Sequence, residues 1–580
     1  MKRPATAQEW VHWLETGTGA RWFVRGALIL AFAVLAAIVV YKQFRGPVTE
    51  LTLLQAGVGR QLAAGEGFTT PVSYPQTAAI LKARGVPVGA EQALPELSQP
   101  PLYSLLMAGV LAALGPAAWT PPTAPSGLGA DYGLLGLNVM LLGLAALQTW
   151  RLGARLFDER AGALAASALL LSAPIWQQTV AVNGTPLAMV LLLGLMQTLE
   201  RWEAAAEREG SQVAWSAAAG ALCGALFLTD YPAGLMVGLA AGYVRWRSGR
   251  NAGALIVLAA FLVVVSPWVI RNVGLTGSPV GLAWQEVALR AGDTTAEPAT
   301  LRATLSAAAP EFDLRKFVNK GLTALQVSLR DRLWGGGAMF LAAFFVVGWL
   351  YRFRSDRARR LRVGGTLALA ILLVGQAFLN SGEGERHPLV YGAPLMMLLG
   401  AGFFGVLVES HAFFASRAVW AAMGLLGLQA IPLVQDLLEP PAVAFHYPPY
   451  HPAIFASLGD EFSHRSEGEP VWMADVPAGA AWYSGQRVWA RPTSLRDFYA
   501  LSLDHRVLAL VLTPATLDRP YFSELAAPQP SAPRYGDWDR IYAGLAAQRF
   551  PAEFPLGQVQ KLADNFYVLL DPTRVPLPGK

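Results

Sequence analysis

The sequence predicts a polytopic α-helical membrane protein of about eleven transmembrane helices, with outer juxtamembrane helices and a small C-terminal soluble α/β domain. Three observations predict it. Of 580 residues, 54% are hydrophobic and only 15% charged, and the charges gather between long apolar blocks, a membrane composition. Arginine clusters recur in alternate connections, as cytoplasmic loops require. Beyond residue 436 the apolar runs shorten to strand length.

A span needs roughly 20 apolar residues. The first run, Val24 to Tyr41, is long for a signal-peptide core and is followed by Lys42-Gln43-Phe44-Arg45 rather than a small-residue cleavage site. It therefore reads as a retained helix behind a cytoplasmic tail, 1–23. Further spans are expected at 131–150, 161–177, 185–200, 212–229, 232–246, 252–270, 333–351, 363–380, 388–408 and 417–436. The short run at 100–116, closed by Gly115-Pro116, is decided by charge. If it does not cross, Arg151 with Arg155 and Arg160, the 200–212 loop, Arg245-Trp246-Arg247 and the 351–362 loop share the side of Lys2 and Arg3, which the positive-inside rule makes cytoplasmic. Residues 100–116 are therefore expected to rest on the outer surface.

Within the membrane unit, 24–436, two large loops then lie outside, 42–130 and 271–332, and the tail 437–580 follows them there. Glu50 to Ala64 places Leu51, Leu54, Val58 and Leu62 at near-helical spacing, a second surface helix; Phe312, Phe317, Leu322 and Leu325 suggest a third in the middle loop. The tail alternates short apolar runs, Val471-Trp472-Met473-Ala474, Val507 to Leu512 and Phe566 to Leu570, with turns and helical stretches, as a small α/β domain does. The net charge of +5 comes largely from membrane-flanking arginines and makes no case for nucleic acid. A single cysteine, Cys223, excludes an intrachain disulfide.

The order of several short pieces resembles the C-type glycosyltransferase superfamily (GT-C fold), whose members include the bacterial aminoarabinose transferases and protein O-mannosyltransferases. The pieces are Gly65-Glu66-Gly67-Phe68, Gln99-Pro100-Pro101-Leu102-Tyr103, Arg155-Leu156-Phe157, Ser266-Pro267-Trp268-Val269-Ile270-Arg271-Asn272 with Gly277-Ser278-Pro279, and Tyr391-Gly392-Ala393-Pro394. The likeness covers roughly 24–435. It implies transfer of a sugar from a polyprenyl-phosphate carrier to a lipid, glycan or protein acceptor outside the cytoplasm, at a bacterial cytoplasmic (inner) membrane, with the lipid-linked sugar as donor substrate and no other cofactor. The chemistry asks for a base at the acceptor hydroxyl and a partner for the departing phosphate.

Family spacing counted back from Gly65 places the first-loop acid at Glu50, with Leu51 where a second acid is usual. The same carboxylate also suits the start of a helix. The stretch that often carries a further acid reads Ala181-Val182-Asn183-Gly184-Thr185-Pro186, loop and cap residues. At the outer end of the fifth span, where the family often has a cation, stands Asp230, as a second catalytic acid or as the partner of Arg271 or Arg386. Arg271, Arg386 and His387 are the candidates to meet a lipid phosphate. The histidines 446, 451 and 464 fall in a Pro-rich linker and no metal is expected; no phosphate loop argues for a nucleotide sugar. The departures at the acidic positions leave an alternative, a catalytically inactive scaffold of the same fold that binds a protein partner through its tail.

Overall fold

The computed structural model describes residues 18–572 apart from 48, 87, 90–91, 121–127, 209, 293–297, 354, 381–386, 411, 441–451, 465–470, 518–537 and 548. Arg386, the first seventeen residues, His446 and His451 lie outside the described residues. The membrane unit is almost wholly helical.

Helix occupies each of the expected spans, but fewer qualify as crossings than the expected eleven. Among the described residues, five are long and apolar enough to cross a bilayer, Arg25–Gln43, Gly129–Leu156, Asn251–Thr276, Asp356–Leu379 and Ala418–Leu438; a bent pair, Ala173–Val180 and Thr185–Glu207 at 119°, makes six if it is one broken span. Breakers explain part of the difference. Pro174 interrupts the run at 161–177, Gly335-Gly336-Gly337 delay the helix expected from 333 until Phe340, and Pro232 draws the chain into a 3₁₀ turn, Tyr231–Leu235, before Met236–Ser248. Small residues let the helices approach: a Cβ on Gly153 would lie 2.6 Å from the Gly162 Cα, and one on Gly220 would lie 2.2 Å from the Val257 carbonyl oxygen.

The run at 100–116 forms the helix Leu102–Leu114, packed beside Glu50–Ala63. Contact is close because Gly59 lies against Ser104, Met107 and Ala108. Buried Tyr103 ties this layer to the spans, its hydroxyl bonding Asn138 Oδ1 at 2.9 Å and donating to the Val182 carbonyl at 3.0 Å.

The tail builds a six-stranded sheet in the order Val72–Ser73, Val488–Ala490, Val471–Ala474, Val507–Leu512, Phe566–Leu570, Gln558–Ala563. The first four strands are parallel and the last two antiparallel. The central strands are buried on both faces and read as continuous apolar runs. The edge strand Val72–Ser73 comes from the first outer loop, so the sheet is shared between two segments that the sequence separates by about four hundred residues. The tail helix Pro477–Ser484 is buried along its length against Glu50–Ala63. Buried Arg60 donates to the carbonyls of Ala481 and Trp482 at 3.0 and 3.1 Å, where the end of that helix presents partial negative charge. Asp131, at the head of Gly129–Leu156, accepts from Trp482 Nε1 at 2.9 Å and from the Tyr483 hydroxyl at 3.4 Å.

Candidate functional site

A cavity of about 460 Å³ opens where the first loop, the middle loop and several helix ends meet. Its wall is mainly apolar, with Phe227, Leu235, Phe261, Trp284 and Val287, and its polar groups are few: Asp230, Tyr231, Ser98, Gln99 and Asn380. That is the general pattern of a small-molecule site.

Asp230 stands in this wall. Helix Val213–Phe227 ends just before it, the backbone at Asp230 turns extended (φ −155°), and Pro232 then imposes the 3₁₀ turn. The residue is 7% exposed. Gln376 Nε2 and, at 3.4 Å, the Tyr391 hydroxyl both donate to its Oδ2, and Gln376 Nε2 also lies 3.3 Å from the Tyr391 hydroxyl. Donors from two other elements thus orient the carboxylate. Gln376 was not distinguishable in the sequence from an ordinary helix residue, whereas Tyr391 opens the piece Tyr391-Gly392-Ala393-Pro394.

Arg271 does not pair with Asp230. Its guanidinium donates to the carbonyls of Glu96 and Phe68, each at 3.0 Å, and lies over the rings of Trp268 and Phe68 at 4.6 and 5.3 Å. Its work is therefore done through the first loop. Glu96 Oε1 accepts from the backbone of Ser98 and Gln99 at 2.7 and 3.0 Å, shaping the turn whose residues line the cavity. A buried ion pair lies behind another lining helix: Arg302 Nε lies 3.4 Å from Glu286 Oε1, and its guanidinium stacks on Tyr74 at 5.0 Å. Glu286 shares a helix, Ala283–Gly292, with the cavity residues Ala283, Trp284 and Val287.

Glu50 is elsewhere. Its two carboxylate oxygens accept from the backbone N–H groups of Ala478 and Gly479 at 2.8 and 2.9 Å, at the positive end of the tail helix that Arg60 holds at its other end. It is not among the described residues lining the cavity. His387 caps the helix Pro388–Tyr391, its Nδ1 accepting from the Leu389 N–H at 3.3 Å, with Nε2 3.4 Å from the Ser328 hydroxyl. Burial, with Arg332 nearby, pushes its pKa down to about 4, so it is a neutral cap rather than a cation for phosphate. Asn183, where a second acid was sought, accepts from the Thr185 N–H at 3.0 Å, a loop and cap role.

No Lys or Arg is among the described residues lining the cavity. Lys320 comes to its wall from the middle-loop helix Leu314–Val327: it is 8% exposed and its Nζ donates to the carbonyl of the lining residue Asn380 at 2.9 Å. Burial and Arg290 lower its pKa to about 8. Beside it, Phe317 packs against Trp284 and Phe378, 6.2 and 5.6 Å between centroids. The amphipathic spacing of the middle loop was legible; a buried lysine on that helix was not.

The overall fold is similar to that of a solved structure. ArnT from Cupriavidus metallidurans bound to undecaprenyl phosphate superposes with a TM-score of 0.51 at 13% identity, covering 94% of this chain and 98% of that one. The Archaeoglobus fulgidus oligosaccharyltransferase aligns over 83% of this chain and 67% of that one, at 14% identity and a TM-score of 0.49. Neither a protein-family model nor a curated protein sequence matches the chain. At such identities the likeness speaks for fold and leaves activity to the residues.

Proposed function

We propose that the protein transfers a sugar from a polyprenyl-phosphate carrier to a lipid, glycan or protein acceptor on the outer side of a bacterial cytoplasmic membrane, within an eleven-span topology that places both large loops and the tail outside. The single observation that carries this reading is the cavity with one oriented carboxylate, Asp230, and a buried lysine, Lys320, bonded to its wall. Apolar surface suits the prenyl chain. In the reaction Asp230 takes the acceptor hydroxyl proton, the freed oxygen attacks the anomeric carbon, and the carbon–oxygen bond to phosphate breaks with its electron pair on the leaving phosphate. Lys320, with Arg386 as a further candidate cation, receives that charge. The undecaprenyl phosphate held by ArnT, which shares the fold, supports a polyprenyl carrier here too.

The test is reconstitution in proteoliposomes with undecaprenyl phosphate. Saturable binding that weakens at least tenfold in Lys320→Gln, together with loss of glycan product in cells carrying Asp230→Asn, is expected; undiminished product from Asp230→Asn would remove that residue from the chemistry. A scaffold role is the second reading, favoured by one observation: both oxygens of Glu50, the family-position acid, are engaged by the tail helix. A stoichiometric partner retained on the tail in mild detergent, with no bound polyprenyl lipid, is its signature.

A further inference from the structure

The middle-loop helix Leu314–Val327 carries three faces, of which one serves the cavity. Asp313 fixes its start, Oδ1 accepting from the N–H groups of Arg315 and Lys316 at 2.8 and 3.2 Å. Successive helical residues turn by about 100°, so the side chains sort by angle. Phe317, Lys320 and Gly321 fall together and meet the end of the span Asp356–Leu379. There the Phe317 and Phe378 rings lie 5.6 Å apart, a Cβ on Gly321 would stand 2.4 Å from the Phe378 ring, and Lys320 donates to the Asn380 carbonyl. Arg315, Asn319, Thr323 and Gln326 form an exposed polar face. Between these two, Leu314, Val318 and Leu322 make a third face, which Leu329 extends into the π-helical turn Ser328–Arg332.

That third face is apolar and open: Leu314, Val318, Leu322 and Leu329 are 66, 38, 54 and 47% exposed. Held in water, such a stripe costs about 25 cal/mol for each Å² of apolar area. The position of the helix says what covers it. The span it packs on begins with Asp356, Arg357, Arg359 and Arg360 and ends, after a long apolar run, at the Phe378 and Asn380 that the helix touches. The helix therefore lies where hydrocarbon gives way to headgroups. An apolar stripe at that level, with protein on one side and a polar face on the other, is the arrangement of a helix lying in the interface plane. Exposed Arg315 and Lys316 add attraction for lipid phosphates.

We propose that the Leu314, Val318, Leu322 and Leu329 face is a docking surface for phospholipid, and that the bilayer thereby clamps one wall of the cavity. The lipid belongs to the leaflet at the Asn380 end of the span, the outer one in the expected topology. It holds the helix from one side while Phe378 and Asn380 hold it from the other, which keeps Lys320 bonded to the wall. The inference is independent of which molecule the cavity binds.

The experiment uses the full chain in vesicles of phosphatidylethanolamine and phosphatidylglycerol, with one nitroxide at a time placed through Val318→Cys, Leu322→Cys, Asn319→Cys or Gln326→Cys. Wild type, whose single cysteine, Cys223, is buried, is the labelling control. Power-saturation EPR compares collisions with oxygen, which concentrates in hydrocarbon, and with a nickel chelate, which stays in water. Oxygen is expected to dominate at 318 and 322, at a depth of about 5–10 Å, and nickel at 319 and 326. Nickel access at 318 and 322 equal to that at 319 and 326 overturns the proposal, because the face then meets water. Exclusion of both agents at 318 and 322 overturns it too, because protein then covers the face. Thermal unfolding accompanies each labelled chain; should Val318→Cys fail to fold, Leu314→Cys reports the same face. For the clamp, Leu314→Ser combined with Leu322→Ser should raise amide exchange across 314–327 about tenfold in vesicles and leave Gly129–Leu156 at wild-type protection; unchanged exchange removes the clamp.

Discussion

Replacing Glu50 with Gln separates two roles that the fold places in competition. The carboxylate accepts two backbone N–H bonds, from Ala478 and Gly479, at the positive end of the tail helix. Gln keeps one acceptor oxygen, presents an NH₂ group to the other N–H, and loses the charge that favours this end of a helix. A hydrogen bond to a charged group contributes about 1.5–3 kcal/mol, so the variant should lower the free energy of local opening of Pro477–Ser484 by ~2 kcal/mol, roughly a 30-fold faster amide exchange there. Hydrogen exchange with mass spectrometry on the protein in detergent measures it directly. Peptides from Gly129–Leu156 should keep wild-type protection. Unchanged protection across 477–484, combined with loss of sugar transfer, would refute the clamp and return Glu50 to the role of catalytic base.

Asp131→Asn should loosen the same docking from the membrane side, since it weakens acceptance from Trp482 and Tyr483; expected is a loss of about 1–3 kcal/mol, seen as faster proteolytic separation of tail from membrane unit. Arg302→Met leaves Glu286 buried beside Tyr74 and should cost about 3–5 kcal/mol in unfolding, most of it recovered in the Arg302→Met, Glu286→Leu double variant, as a double-mutant cycle by thermal denaturation will report. Gly153→Val drives a side chain into the Gly162 backbone, and the variant should unfold at a lower temperature by overpacking of about 1–3 kcal/mol or more, while Gly364→Val, with open space around it, should not. For His387 the folded pKa lies below its ordinary value, so between about 4 and 6.5 the unfolded chain binds the extra proton. Its contribution is complete above about pH 6.5 and is lost as pH falls toward 4; a His387→Gln variant should flatten that part of the stability profile.

Much of the membrane unit was legible because bilayer physics writes itself locally. The apolar runs, the arginine asymmetry and the Gly115-Pro116 stop locate the helices and set Leu102–Leu114 apart, and each signal needs only a few adjacent residues. The count was less legible, since Pro174, Pro232 and the 335–337 glycines shorten helices in ways a hydropathy run absorbs. The site was legible in part. Asp230 announced itself as a carboxylate at a span end, and the structure sets it in a cavity wall. Lys320 and Gln376 carried no sequence signal, because lysines on amphipathic helices and polar residues within spans are common for other reasons.

Composition, charge and the spacing of apolar runs alone predict a helical membrane protein with an α/β tail, because burial in lipid and strand periodicity act on neighbouring residues. Partnerships between distant residues belong to another level. That Glu50 and Arg60 hold the two ends of one tail helix, that Val72–Ser73 completes a sheet made by residues beyond 470, and that Arg271 turns to the first loop rather than to Asp230 follow from which surfaces pack together. Those choices rest on shape and desolvation summed over the whole chain, and no local pattern encodes them.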